Sequence, residues 1–127
     1  MSDERARDEQ TEWFHQFADQ APDQIAANAN EANRSAVASF VSLSLPDHPM
    51  PDDLSPEEFA DAVMSLRESE RAWNRAVCTA LIQADDLHIS HDDEQAFAVL
   101  QAFAKSCPWS PFREVAENQA QNYSTHP

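Results

Sequence analysis

The sequence predicts an all-α fold, a compact bundle of four or five helices in a single domain. Apolar residues recur at spacings of three and four in several segments, which is typical of helices that bury one face. No alternation of polar and apolar residues runs beyond a few positions, so strands are not indicated. A chain of 127 residues, of which 42% are hydrophobic, suits one domain with a modest core.

The first two helices are predicted between Ser2 and Leu43. Acidic residues after Ser2 suit the positive end of a helix. The first apolar stripe consists of Trp13, Phe14, Phe17 and Ala21. Pro22 ends this helix, and Asp23 is expected to cap the second one. The buried line of the second helix is Ile25, Ala29, Ala32, Ala36, Phe40 and Leu43. Three asparagines in residues 28–33 favour fraying or bending there.

A proline-rich acidic linker, residues 46–55, precedes the longest predicted helix. Ser55, Pro56 and Glu58 form a helix-start signal, with a capping serine, a proline at the first position and a capping-box glutamate. The helix is predicted to run from Pro56 to Ala84, with a break near Ser69 as the alternative. Its apolar line is Phe59, Val63, Leu66, Glu70, Trp73, Val77, Ala80 and Ala84, and Trp73 and Val77 are expected to be largely buried.

Two shorter helices are predicted to complete the bundle. Ser90 is expected to cap the fourth, and Pro108 follows its end. Its core face consists of Phe97, Leu100, Phe103 and Ala104. The fifth begins at Ser110 and carries Phe112, Val115 and Ala116. Residues 1–7 and 119–127 are expected to fray.

Composition excludes several classes of function. Without glycine the chain cannot form a P-loop, a G-x-G-x-x-G turn, an EF-hand loop or a G-x-S-x-G elbow, and no cofactor is predicted. The net charge of −15 argues against nucleic acid and anionic membranes as partners, because both require cationic side chains. Two cysteines outside a C-x-x-C pair, with no secretion signal, predict a cytoplasmic protein.

The acidic residues suggest where a basic protein partner would bind. They concentrate in two segments, whose candidate partner-binding residues are Asp47, Asp52, Asp53, Glu57, Glu58, Asp61, Asp85, Asp86, Asp92, Asp93 and Glu94. Trp109, in a turn between Pro108 and Ser110, is predicted to be exposed and to anchor the partner. The alternative is that the acidity serves solubility or a salty cytoplasm.

Other polar residues allow a chemical site or internal pairing. His88, His91 and Asp92 are metal-ligand candidates, although we expect the two histidines to lie in a solvated turn. Three arginines, Arg67, Arg71 and Arg75, share one face of the third predicted helix. One interpretation is a clamp for an anionic ligand; we prefer the other, in which they pair with carboxylates of this chain. We expect Glu70 to contact an arginine and Cys78 to lie in the core.

We therefore expect an interaction protein rather than an enzyme. It would bind, and inhibit, a basic protein partner, as small acidic bacterial immunity proteins, antitoxins and nucleic-acid mimics do. It would be a monomer or a small homo-oligomer. The alternatives are a small metal-binding or carboxylate-using enzyme centred on His88, His91 and Asp92, and an acidic secretion or assembly chaperone that binds through an apolar groove.

Overall fold

The computed structural model describes residues 2–123, with side chains from residue 6 onwards. Between residues 2 and 123 the chain forms six α-helices and no strand, so the all-α class is confirmed. The helices are α1 Ser2–Ala18, α2 Pro22–Ala27, α3 Glu31–Ser44, α4 Pro56–Ile89, α5 Asp93–Ser106 and α6 Ser110–Ala120, and a 3-10 turn, Gln121–Tyr123, follows α6. The chain divides into two compact units, residues 1–69 and 70–127.

An aromatic core holds the first unit together. Phe14 of α1 stacks on Phe40 of α3, with ring centroids 4.1 Å apart. Phe17 of α1 packs against Phe59 of α4 at 6.1 Å. The other buried apolar residues of this unit are Ala18, Ile25, Val37, Val41, Leu45, Ala60 and Val63. The apolar stripe of α1 therefore contacts both α3 and the start of α4.

The boundary between α1 and α2 differs from the prediction. Ala21 is exposed and stands at the N-cap of α2, so it does not extend the stripe of α1. Pro22 begins α2, and Asp23 lies in its first turn instead of capping it. The reason is that proline has no N–H to leave unsatisfied, so it is favoured at the first position of a helix.

The predicted second helix is in fact two helices. The side chain of Asn30 accepts a hydrogen bond from the Asn33 N–H at 2.8 Å and caps α3, so the asparagine-rich segment ends one helix and starts the next. Phe40 is buried as predicted, but Leu43 is 45% exposed and Ala32 is exposed. The predicted buried line was wrong at these two positions, because α3 instead buries Val37, Phe40, Val41 and Ser44.

The second unit packs small side chains of three helices around Leu100. Its buried residues are Val77, Ala80 and Ala84 of α4, Ala96, Leu100 and Ala104 of α5, Ala116 and Ala120 of α6, and Tyr123. Val77 is 3% exposed, as predicted. Trp73 is only half-buried and meets Phe103 edge-on at 5.8 Å, so the prediction that Trp73 is largely buried was wrong.

Several helix ends in the sequence analysis were also wrong. Helix α4 continues through Ser69 to Ile89, so Ser90 lies in the turn and Asp92 caps α5, accepting from the Gln95 N–H at 3.2 Å. Helix α1 begins at Ser2, the predicted start, and its first residues, where fraying was expected, are helical.

The C-terminal end is ordered further than predicted. Helix α6 extends to Ala120, and Tyr123 is 5% exposed, so apolar burial holds residues 119–123 in place. Residues 124–127, the rest of the expected frayed end, lie outside the described residues. Val115 of α6 is 44% exposed and does not belong to the core face assigned to it.

Candidate partner-binding surfaces

A groove between α2 and the start of α4 gathers three carboxylates in the first unit. Its volume is about 460 Å³. It is lined by Pro22, Asp23, Ala26, Ala27, Pro56, Glu57, Ala60 and Asp61, and we call it the α2–α4 groove. Asp23, Glu57 and Asp61 are its charged residues, and all three are exposed. Alanine and proline form the rest of the wall, so the groove combines negative charge with short apolar side chains.

Local helix chemistry positions these carboxylates. Asp23 and Glu57 lie in the first turns of α2 and α4, where a negative charge also stabilises the helix dipole. Asp61 lies one turn further along α4, beyond the range of that effect, so the dipole does not explain its presence.

A reciprocal capping box fixes the start of α4. The Ser55 N–H donates to Glu58 Oε1 at 2.9 Å, and the Glu58 N–H donates to Ser55 Oγ at 3.1 Å. The backbone N–H of Ser55, and to a smaller extent its side chain, hydrogen-bond the Glu58 carboxyl and hold its pKa below the ordinary value. The carboxylate of Glu58 is therefore ionised at neutral pH and accepts a hydrogen bond within the capping box, whereas Glu57 is one of the residues that line the groove.

Arg34 holds the acidic linker in the first unit. Its Nε donates to the Ala29 carbonyl at 2.8 Å, and one terminal nitrogen donates to the Leu54 carbonyl at 2.6 Å. Its guanidinium also lies 5.2 Å from the centroid of the Phe59 ring. This positive charge is directed at backbone carbonyls and an aromatic face, whereas Asp52 and Asp53 of the linker are exposed.

The second acidic segment runs from the end of α4 through the turn into the start of α5. Asp85, Asp86, Asp92 and Glu94 are exposed, and Asp93 is half-buried. His88 Nδ1 lies 2.6 Å from Asp93 Oδ1, and the His88 ring is 5.3 Å from the Tyr123 ring. The carboxylate of Asp93 is therefore held by His88 and that of Asp92 by the first turn of α5, whereas Asp85, Asp86 and Glu94 are exposed.

The turn does not have the arrangement of a metal site. His88 belongs to the last turn of α4, so the expectation that it lies in the loop was wrong. His91 occupies the left-handed region with φ of 65°, where a glycine would be favoured in a chain that had one. Within the described residues no three His, Cys, Asp or Glu side chains are grouped so that they could hold a metal ion.

Trp109 is not the exposed anchor that its place in a turn suggested. It is 1% exposed and stands at the N-cap of α6. Its ring lies 6.3 Å from that of Phe112, and its carbonyl accepts from Cys107 Sγ at 3.6 Å. The turn folds inward because burial of a large indole ring removes much apolar surface from water.

The other residues singled out in the sequence are an arginine, a glutamate and the two cysteines. Arg67 Nε lies 3.4 Å from Asp19 Oδ1, so Arg67 pairs with a carboxylate of its own chain, as preferred above. Glu70 is 6% exposed, and its contact with an arginine stays a prediction. Cys78 is exposed, so its core assignment was wrong, whereas Cys107 is buried and burial raises the pKa of its thiol.

Sequence reasoning missed two features of these surfaces. Asp23 was interpreted only as a helix cap, although it lines the α2–α4 groove. Ile82 and Ile89 are 64% and 66% exposed, and they had no assigned role. Their spacing from the buried positions of α4 places them on its opposite face, and this signal was readable from the sequence.

No family model matches the chain, and neither a curated protein nor a solved structure is detectably similar to it. Among the helices described, none combines the length and apolar character needed to cross a membrane.

Proposed function

We propose that this protein binds a basic protein partner through its acidic surfaces and inhibits it by covering the partner's cationic site. The observation that carries the proposal is the α2–α4 groove, whose charged lining residues are the carboxylates Asp23, Glu57 and Asp61. A lysine or arginine side chain fits this chemistry, because its aliphatic stem can lie on alanine and proline while its charged head meets the carboxylates.

The distribution of cations supports the same conclusion. Arg34 donates to backbone carbonyls, and Arg67 pairs with Asp19. Neither guanidinium lines the α2–α4 groove. Clustered carboxylates of this kind attract a cationic partner at long range and accelerate its association.

The linker and the turn between α4 and α5 extend the proposed interaction. Asp47, Asp52 and Asp53 are exposed in the first unit, and Asp92 and Glu94 are exposed in the second. These carboxylates need not touch the partner to act, since their field reaches about 8 Å at physiological ionic strength. We further propose a cytoplasmic location, which two unpaired thiols, Cys78 and Cys107, support.

Neutralising the groove tests the proposal without a prior choice of partner. The immobilised protein would be used to capture proteins from the source lysate at low and high salt. The test variant is the triple substitution Asp23→Asn, Glu57→Gln and Asp61→Asn. We expect the wild type to capture a basic protein at low salt and the triple variant to lose most of that capture.

A matched control variant separates the effect of the groove on capture from the effect of the net charge. The triple substitution Asp8→Asn, Glu12→Gln and Glu68→Gln removes the same charge from exposed positions of the first unit that do not line the groove. It should capture nearly as much as the wild type. Equal losses in both variants would assign the effect to net charge alone, and an acidic or uncharged captured protein would contradict the proposal.

A further inference from the structure

The outward face of α4 in the second unit exposes apolar side chains at helical spacing. Ile82 and Ile89 are 64% and 66% exposed, against 45% for Leu43, the next most exposed large apolar side chain in residues 6–123. Cys78, one turn before Ile82, is also exposed. Positions separated by four and seven residues share one face of a helix, so these three side chains form one apolar strip.

The strip belongs to a longer seam with the spacing of a coiled coil. The seam consists of Arg71, Arg75, Cys78, Ile82, Asp85 and Ile89, whose steps along the chain alternate between four and three residues. All six residues are exposed, whereas Val77, Ala80 and Ala84 on the other side of the helix are buried in the core. The outward face of α4 therefore has heptad spacing, with apolar side chains at Cys78, Ile82 and Ile89 and charged side chains at the other three positions.

The order of charges along the seam selects the partner and its direction. Positive charge lies at the N-terminal end, at Arg75, and negative charge at the C-terminal end, at Asp85. Two copies aligned in parallel would bring arginine to arginine and aspartate to aspartate. Two antiparallel copies centred near Ala80 would bring Arg75 of each to Asp85 of the other, Cys78 to Ile82, and Ile89 to Arg71, whose aliphatic stem can cover it.

We propose that this seam binds a second copy of the same chain, as an antiparallel pair of α4 helices related by a two-fold axis. Such an axis makes each favourable contact twice, which is the property of a self-complementary surface. The proposal does not depend on the basic partner. Asp85 belongs both to the seam and to the candidate residues for binding the basic partner, whereas the α2–α4 groove shares no residue with the seam.

The dimer is expected to be weak. Added salt is expected to strengthen it, whereas salt should weaken the binding of the basic partner. The seam from Arg71 to Ile89 is roughly 27 Å long at 1.5 Å per residue, so its area lies at the low end of protein interfaces. Each copy has a formal charge of −15, and the copies repel at long range. Salt screens that repulsion and also weakens the two Arg75–Asp85 pairs, but it leaves the apolar contacts of Ile82 and Ile89 intact. Because the repulsion involves the whole charge of both copies, we expect added salt to strengthen the dimer.

The native thiols allow a first experiment on the full chain. A short bis-maleimide should link two copies through Cys78, because the two Cys78 positions are offset by four residues, roughly 6 Å along the axis. Cys107 is buried, so Cys78→Ser should abolish the linked product. A linked product that persists in Cys78→Ser, or no product from the wild type at high protein concentration, would overturn the proposal.

A charge exchange tests the direction of the pair. Sedimentation velocity over a protein concentration series would measure the dissociation constant of the wild type, Arg75→Asp, Asp85→Arg and the double variant. Each single substitution should raise the constant about tenfold, because it places like charges opposite each other twice in the dimer. The double variant restores opposite charges and should return to within about threefold of the wild type.

An apolar substitution with a control in the same unit completes the test. Ile82→Gln should raise the dissociation constant at least about tenfold, because it removes apolar contacts from the centre of the seam. Val115→Gln, also on an exposed apolar side chain but on α6, should leave it unchanged. Dimerisation that is insensitive to Ile82→Gln, or single charge variants whose defects add in the double variant, would refute the antiparallel seam.

Discussion

Replacing Trp109 by alanine should remove a large part of the stability of the second unit. The side chain is 1% exposed and is among the largest fully buried groups in residues 6–123. An aromatic side chain buries about 150–250 Å², which at about 25 cal/mol per Å² corresponds to about 4–6 kcal/mol. Because alanine retains part of that contact, we expect a loss of about 3–5 kcal/mol, the range measured for such truncations.

Urea unfolding followed by circular dichroism and tryptophan fluorescence would measure this loss. The matched control is Trp73→Ala, since Trp73 is half-buried and should cost only about 1–2 kcal/mol. Near-equal losses at the two tryptophans, or a Trp109→Ala variant with the wild-type midpoint, would refute the assignment of Trp109 to the core. Such a result would revive its interpretation as an exposed anchor.

Three further outcomes follow from individual contacts. Ser55→Ala should destabilise the protein by about 1 kcal/mol at neutral pH. The backbone N–H of Ser55, which is the main cause of the lowered pKa of Glu58, is retained in this variant, and the cap that is lost is the hydrogen bond from the Glu58 N–H to Ser55 Oγ, which does not titrate. Most of the stability linked to the lowered pKa is therefore present above the ordinary carboxyl pKa and lost as the pH falls through the lowered one in both proteins, and urea unfolding should show the difference between them in acid as well as at neutral pH. Arg34→Met should cost about 1–3 kcal/mol through lost hydrogen bonds to two carbonyls, and should speed proteolysis of the linker; an unchanged cleavage rate would contradict its holding role. Cys78 should react with a maleimide in the native state while Cys107 reacts only on unfolding, which peptide mapping would show, and equal rates would contradict the burial of Cys107.

Signals that act within one turn of helix were readable from the sequence. The Ser55–Glu58 capping box forms as predicted, because its partners are three residues apart and need no tertiary contact. Apolar spacing also placed Phe14, Phe40 and Val77 in the core correctly. These features depend on the periodicity of the helix itself.

Features that depend on packing between helices were not readable in the same way. Leu43 fits the predicted stripe, yet α3 turns a slightly different face inward, and no local signal fixes that rotation. Trp109 stands in a turn between Pro108 and Ser110, which suggested exposure, but it is buried and its ring lies 6.3 Å from that of Phe112, a tertiary outcome that no local signal announces. The α2–α4 groove likewise brings Asp23 near Glu57 and Asp61, which are more than thirty positions away along the chain.

The most direct test of the proposed function is the salt dependence of the association rate with the protein captured from the lysate. Stopped-flow or surface binding would compare the wild type with a charge-reversed variant in which the exposed residues Asp47, Asp52, Asp53 and Asp86 become lysine. We expect the wild type to associate fast at low salt and more slowly as salt screens its charge, and the variant to associate slowly at every salt concentration with little change in melting temperature. A variant that associates at the wild-type rate, or a wild-type rate that does not change with salt, would show that the acidic surfaces do not guide the partner and would contradict the proposal.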